Sequence, residues 1–187
     1  MGMVTAFVRY GLAAVDALQR QGVAGMSFTE VLGRSGAARG AIYHHFPGGK
    51  TQLVAEAAER NGADVRAQLA TLPTHSPTEV VEAFFAAVRP VLARSTTGAG
   101  CAVAAVTVGA GAGEEKLREV AAAEFGSWIQ ALAGQLAAAG MIDSEAHDLA
   151  ATLIALLEGA HVLCRATATL DPFDSAVRTV RRALLAD

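Results

Sequence analysis

The residues of this chain that can do chemistry are few, and their spacing excludes most reactions those types serve elsewhere. Five histidines stand at positions 44, 45, 75, 147 and 161. No His-x-x-x-His pair puts two of them on one helix face, so no metal site is expected, and no other cofactor. Cys101 and Cys164 lie far apart and match no metal spacing. They read as small buried hydrophobes, with a redox pair left open. A Gly-x-Ser-x-Gly elbow is absent, and no catalytic constellation emerges. Gly49-Lys50-Thr51 looks like the end of a phosphate loop, but the glycine needed five residues earlier is His44. Gly98-Ala99-Gly100 and Gly109-Ala110-Gly111 follow no strand pattern, so they read as joints and not as a dinucleotide fingerprint.

What remains is the run Ser27 to Lys50, SFTEVLGRSGAARGAIYHHFPGGK. It reads as helix, glycine turn at Gly36, helix, sharing a very small core. Ile42 and Phe46, four residues apart, face inward. Arg39, Gly40, Ala41, Tyr43 and His44 lie outward or at the helix start. Small residues at 40 and 41 allow close approach to a groove. Arg39 can reach a base or a phosphate, and Tyr43 and His44 can donate to phosphate oxygens. Any small helical domain exposes some Arg, Tyr and His, but here they cluster on a helix too short to serve packing alone.

The elements that must hold this segment are helical throughout. Of the 187 residues 52% are hydrophobic, largely alanine, and 18% charged, which argues for a packed helical core and against disorder. Tyr10, Ala13, Ala14, Ala17 and Leu18 form one face of a first helix over about Val4–Gln21, closed by Gly22. Ser27 caps a second helix, with Glu30 completing a capping box. The third spans about Ala38–His45, and a long helix begins near Lys50. After the linker at Leu72–His75, Ser76-Pro77-Thr78-Glu79 starts a helix whose stripe is Val81, Phe84, Phe85, Val88 and Leu92, and Pro90 should bend or end it. A short helix is expected near Ala102–Thr107. Longer ones follow over about Glu114–Ala139, Ser144–Thr169, the latter opened by Asp143, and Pro172–Ala186. The fold class is all-α with about nine helices. No apolar run reaches the roughly 20 residues that span a bilayer, and no signal peptide is read at the start, so a cytoplasmic protein with no membrane partner is expected. The net charge is −3, yet residues 1–70 carry seven Lys and Arg against five Asp and Glu, while the remainder carries eight against thirteen. Only the first part has the sign that phosphate attracts.

Tyr10-x-x-Ala13-Ala14, Gly22, Ser27-Phe28-Thr29-Glu30-Val31, Gly36 and Arg39-Gly40-Ala41-Ile42-Tyr43-His44-His45-Phe46-Pro47 together resemble the TetR family of transcriptional regulators. Phe46-Pro47-Gly48-Gly49-Lys50-x-x-Leu53, Gly100-Cys101-x-Val103-Ala104, Ser127-Trp128 and Ala155-Leu156-Leu157-Glu158-Gly159-Ala160 resemble its LmrA/YxaF-like subgroup. Ala38 stands where the family usually carries a capping Ser or Thr. The resemblance implies a ligand-responsive regulator, usually a repressor, that binds double-stranded operator DNA as a homodimer and is released by a small molecule. It places the helix-turn-helix domain at 1–48 and the ligand-binding and dimerisation domain at 49–187. Arg39, Gly40, Ala41, Tyr43 and His44 would form the recognition helix, with Thr29 and Lys50 on the DNA backbone. The candidate walls of a mainly apolar cavity are Phe84 or Phe85, Phe125, Trp128, Leu157 and His161, because large rings beside many alanines leave room. The dimer is expected through Leu153, Leu156, Gly159, Ala160 and Leu163. A helical binding protein or enzyme whose first module is only structural is the competing reading. A protein that dimerises without a ligand is a third.

Overall fold

The structure, a computed structural model, describes the backbone of residues 2–35, 42, 44–109 and 115–184, and the side chains of these except 2–9 and 109. Among the described residues there are eight helices and no strand: α1 Gly2–Gly25, α2 Phe28–Ser35, α3 Gly49–Leu69, α4 Pro77–Ser95, α5 Ala102–Gly109, α6 Glu115–Ala138, α7 Asp143–Thr167 and α8 Asp171–Leu184. Ile42, His44 and His45 also have helical backbone. Arg39, Gly40, Ala41, Tyr43 and the turn glycine Gly36 lie outside the described residues. Two compact units emerge from the packing. One draws on the chain up to Asp64 and on Cys101–Glu124, the other on Val65–Gly100 and Phe125–Asp187. This division follows contacts, whereas a boundary at residue 48 follows the end of a motif.

In the first unit α1 lies against α2 and α5. Its expected stripe, Tyr10, Ala13, Ala14, Ala17 and Leu18, is buried, and so are Val31 of α2, Leu53 and Val54 of α3, Ala102 and Val106 of α5, and Leu117 of α6. Three alanines in that stripe let neighbouring backbones come close. The larger Tyr10 and Leu18 supply most of the buried area, at roughly 1.5–3 kcal/mol for each fully buried large apolar side chain. Ser27 Oγ accepts the Glu30 N–H at 3.2 Å, fixing where α2 begins. The reciprocal half of the capping box does not form. The Glu30 carboxylate takes Gln21 and Arg34 instead, and Asp16 binds both Arg20 and Arg34. These part-exposed pairs link α1 to α2 but add little stability each.

In the second unit α4 packs on α7, and α7 on α8. Val81, Phe84, Phe85, Val88 and Leu92 are all buried as the pattern predicts, and Ser76 Oγ accepts the Glu79 N–H at 3.2 Å with Pro77 at the first position. Two ion pairs fasten α8 to α4. Arg181 grips Glu82 with two bonds of 2.6 Å, and Arg89 grips Asp174. The facing guanidinium holds each carboxyl below the usual carboxylate range. Gln135 of α6 donates to the carbonyls of Leu69 and Ala70 where α3 ends, the Leu69 carbonyl also taking the Leu72 N–H at 3.3 Å. α7 has the length and mean hydropathy, 1.5, of a membrane span. Much of that hydropathy belongs to Ala146, Ala150, Leu153, Ile154, Leu157 and Ala160, which pack inside this unit.

Three boundaries differ from expectation. α4 runs through Pro90 to Ser95. Pro90 and Ala86, the residue whose carbonyl loses its bond, are both exposed, so water can replace the missing donor. α7 begins at Asp143, with Ile142 as a cap that makes no side-chain bond, and it ends at Thr167, where Ala168 turns left-handed at φ 55°. Helical turns continue past Gly22 to Gly25, but Gly22 itself has φ 69° and ψ −176°. Only glycine adopts that conformation readily, so the break falls where the sequence places it. Gly22→Ala should therefore lower the unfolding free energy by about 1–3 kcal/mol. Gly134→Ala, on an exposed helical site of α6 with open space around it, should raise it by about 0.5–1 kcal/mol. Urea denaturation reads both, and shifts of the same sign would contradict this assignment.

Candidate nucleic-acid interface and effector core

The first unit fixes the end of the reading segment from below. Ile42 and Phe46 are 0% and 2% exposed, and the Phe46 N–H closes a helical bond on the Ile42 carbonyl at 2.9 Å. The Phe46 ring meets Tyr10 edge-on at 6.2 Å, and the half-buried His45 ring leans on Tyr10 at 5.8 Å. His44 is exposed. Thr29, in the first turn of α2, is exposed too, as is Lys50 at the start of α3, whose Nζ donates to the Ala24 carbonyl at 3.4 Å. Thus Thr29, His44 and Lys50 are all solvent-accessible on the first unit. The other four candidates for DNA contact, Arg39, Gly40, Ala41 and Tyr43, lie outside the described residues.

One positioning residue was not singled out from the sequence. Gln52 accepts the Gly48 N–H at 2.8 Å and donates to Glu56 at 2.7 Å and to the His45 carbonyl at 3.5 Å. It therefore pins the turn that follows the reading segment onto α3. Its signal was a glutamine in the first turn of a helix, the residue type that reaches back to a cap N–H.

In the second unit, Phe84, Phe85, Trp128, Leu157 and His161 are buried and Phe125 is half-buried. Phe125 and Trp128 meet edge-on at 5.1 Å. Phe85 has a different task from the others. It packs edge-on against Phe173 of α8 at 6.0 Å, with the Arg89 guanidinium 6.0 Å from the same Phe173 ring. It also lines a surface groove of about 520 Å³ with Glu82, Arg89, Phe173 and Arg181. Of the two phenylalanines, Phe84 is the one that remains a candidate wall. His161 Nδ1 and Ser95 Oγ share a buried hydrogen bond of 2.7 Å. Burial, and secondarily the positive Arg94, push the His161 pKa down to about 4.

The expected dimer residues separate onto two faces. Leu153 and Ala160 are buried within the subunit itself, 0% and 4% exposed, so they are not available to a partner. Leu156 is half-buried, Gly159 is exposed, and Leu163 is 53% exposed. The cause is helical spacing, since 153, 157, 160 and 164 share the inward face. Glu158 and His161 stand at Glu-x-x-His spacing, but among the described residues no three His, Cys, Asp or Glu gather for a metal. Cys164 is buried, and Cys101 starts α5 with its Sγ accepting the Ala104 N–H at 3.4 Å.

His161 gives the protein a pH signature. In the unfolded chain its pKa returns to about 6.5, so between pH 4 and 6.5 only the unfolded state takes up the proton. The contribution is whole above pH 6.5 and is lost as pH falls towards 4, on the order of 3 kcal/mol at about 1.4 kcal/mol per pKa unit. Unfolding free energies at pH 7 and pH 4.5 should converge for His161→Gln relative to wild type. An identical pH slope in both proteins would contradict the neutral, buried imidazole.

Comparison with known proteins covers both units. A family model described as bacterial regulatory proteins, tetR family, matches residues 12–57, and one described as transcriptional regulator LmrA/YxaF-like, C-terminal domain, matches residues 77–179. An HTH-type transcriptional regulator of Mycobacterium tuberculosis is 35% identical over 184 residues, covering 96% of this chain and 94% of its own. The HTH-type transcriptional regulator LmrA of Bacillus subtilis is 28% identical over 153 residues, 81% of each chain. The crystal structure of regulatory protein TetR from Rhodobacter sphaeroides shares the fold with a TM-score of 0.83 at 20% identity, covering 95% of this chain and 97% of its own. That of a TetR transcriptional regulator from Legionella pneumophila does so with 0.79 at 20%, covering 94% and 95%. The chain belongs to the TetR family of bacterial transcriptional regulators, helix-turn-helix proteins that act by binding DNA and not by catalysis.

Proposed function

We propose that this protein is a cytoplasmic repressor that holds operator DNA as a homodimer and lets it go when a small, mainly apolar effector enters the second unit. The observation that carries the DNA-binding half is the split at the reading segment, where Ile42 and Phe46 are sunk in the core while His44 is exposed. In this reading residues 1–48 contact DNA. Arg39, Gly40, Ala41, Tyr43 and His44 enter the major groove, and Thr29 and Lys50 hold phosphates. Residues 49–187 bind the effector and pair the subunits. The effector site is supported by residue type and burial in the second unit, where Phe84, Trp128, Leu157 and His161 are buried and Phe125 is half-buried, a set that suits an apolar molecule with a polar group or two. Pairing is supported by the exposed Gly159, Val162 and Leu163 of α7. Two reading heads on one dimer engage half-sites about one helical turn apart. Release requires that the effector bind the DNA-free conformation more tightly than the DNA-bound one.

Arg39→Ala should weaken operator binding by about 1–3 kcal/mol if Arg39 reads a base, and Lys50→Ala should weaken all sequences alike and reduce the salt slope by about one. Fluorescence anisotropy at several salt concentrations separates the two. An Arg39→Ala protein that binds its operator as well as wild type would remove this segment from the interface. For the effector half, apolar aromatic compounds screened by thermal shift and Trp128 fluorescence should raise the melting temperature and release DNA together. Compounds that stabilise the protein without changing its hold on DNA would contradict the coupling.

A further inference from the structure

The end of α4 holds a buried polar pair that apolar packing does not require. Ser95, the last residue of α4, is 0% exposed, and His161 of α7 is 7% exposed. Ser95 Oγ and His161 Nδ1 share a bond of 2.7 Å. The next two hydroxyls of the chain behave differently. Thr96 donates to the Ala93 carbonyl at 2.8 Å and Thr97 to the Arg94 carbonyl at 2.9 Å. Such bonds to a carbonyl one turn back are the ordinary use of a hydroxyl on a helix. Ser95 forgoes one, and among the described residues His161 Nδ1 is the one hydrogen-bond partner of its hydroxyl. A buried hydroxyl proton without an acceptor is unfavourable, so Ser95 O–H donates and Nδ1 accepts.

The ring is neutral at pH 7. Burial is the larger cause and the positive Arg94 the smaller, and together they push its pKa down to about 4. A neutral imidazole carries one proton on two nitrogens. With Nδ1 bare to accept from Ser95, that proton sits on Nε2. Among the described residues Nε2 has no hydrogen-bond partner. A residue more than nine-tenths buried therefore offers one N–H donor, and a second residue decides which nitrogen carries it. Buried donors in folded proteins are ordinarily paired.

We propose that this N–H is the polar anchor of the effector site, and that the effector is a mainly apolar molecule presenting a neutral carbonyl oxygen to His161 Nε2. The inference rests on the effector site proposed above and names the ligand chemistry that site selects. Other polar groups fit less well. A hydroxyl could accept the N–H, but its own hydrogen would find no acceptor in the pair, since Nδ1 is used and Ser95 is fully buried. A carboxylate would shed its water where burial outweighs Arg94 in setting the charge of the ring itself. A hydrocarbon would leave the N–H unpaired. A neutral carbonyl meets the donor and needs no counter-charge. Ser95 acts through the ring and not on the ligand, so it is a positioning residue.

The test uses the full-length protein at pH 7, with acetophenone, ethylbenzene and benzoate as probes of similar size. NMR of protein carrying heavy nitrogen in its histidines tells a protonated ring nitrogen from a bare one, and His161→Phe assigns the signal by its loss. Nε2 should carry the proton before any probe is added. Acetophenone should move the Nε2 signal and bind about tenfold more tightly than ethylbenzene or benzoate, a preference that His161→Phe should erase. Ser95→Ala, folded by circular dichroism, should show both tautomers and a reduced preference, which a loss of packing alone would not produce. An unchanged tautomer in Ser95→Ala would overturn its positioning role. A proton found on Nδ1, equal affinity for acetophenone and ethylbenzene, or tighter binding of benzoate would overturn the neutral carbonyl and leave the effector site standing. Binding of none of the three, with the Nε2 signal unmoved, would overturn the effector site at these residues and this inference with it.

Discussion

A reading segment only a few turns long cannot hold helical shape by itself, since isolated helices under about 12–15 residues are marginal in water. What it lacks in local stability must come from docking, and here that docking is concentrated in two side chains. Ile42 and Phe46 are sunk beside the Tyr10 ring and among Ala13, Ala14, Leu53 and Val54 in one core. The rest of the first unit serves this anchorage. Alanines keep α1 close to its neighbours, Gly22 breaks α1 where a side chain would be strained, and Gln52 ties the following turn to α3. Because Ile42 and Phe46 turn inward, the exposed His44 is left on the open side of the segment, where the proposed polar contact with DNA would lie.

The second unit meets a different constraint, since α7 must serve a core and a surface at once. Its inward face is leucine, isoleucine and alanine, completed by His161, whose ring nitrogen is satisfied by Ser95. That bond satisfies Nδ1 of the imidazole at the C-terminal end of α4, where burial and the nearby Arg94 keep the ring uncharged. Its outward face is small and apolar through the middle and acidic at one end. A single isolated subunit gains nothing from exposing Val162 and Leu163, which supports the proposed pairing through this face. α8, fastened to α4 by two ion pairs, keeps two further arginines outward.

Much of this was legible in the residues. The stripe Tyr10 to Leu18, the caps at Ser27 and Ser76, the break at Gly22 and the inward pair Ile42 and Phe46 follow from helical period and hydrogen-bonding chemistry, which are local. What escaped the sequence depended on which neighbour a side chain meets. Leu153 and Ala160 lie on the same helix as Gly159 and Leu163, and nothing local says which face the subunit keeps for itself. Phe85 is as apolar as Phe84, yet it turns to Phe173, some ninety positions away in the chain. Glu30 had the spacing of a capping box, but Gln21 and Arg34 offered its carboxylate other donors. Pro90 was expected to bend or end its helix, and α4 continues through it to Ser95, because its exposed flank lets water stand in for the lost bond.

The central claim is sequence-specific DNA binding by the first unit in a paired protein. It is tested most directly by titrating the full-length protein onto labelled duplexes from upstream of its own gene and onto scrambled duplexes of the same composition. The account predicts one duplex bound at least about a thousandfold more tightly than its scramble. That duplex should be occupied by two subunits and should lose affinity steeply as salt rises. Equal affinity for every duplex, or no binding at low salt, would contradict it.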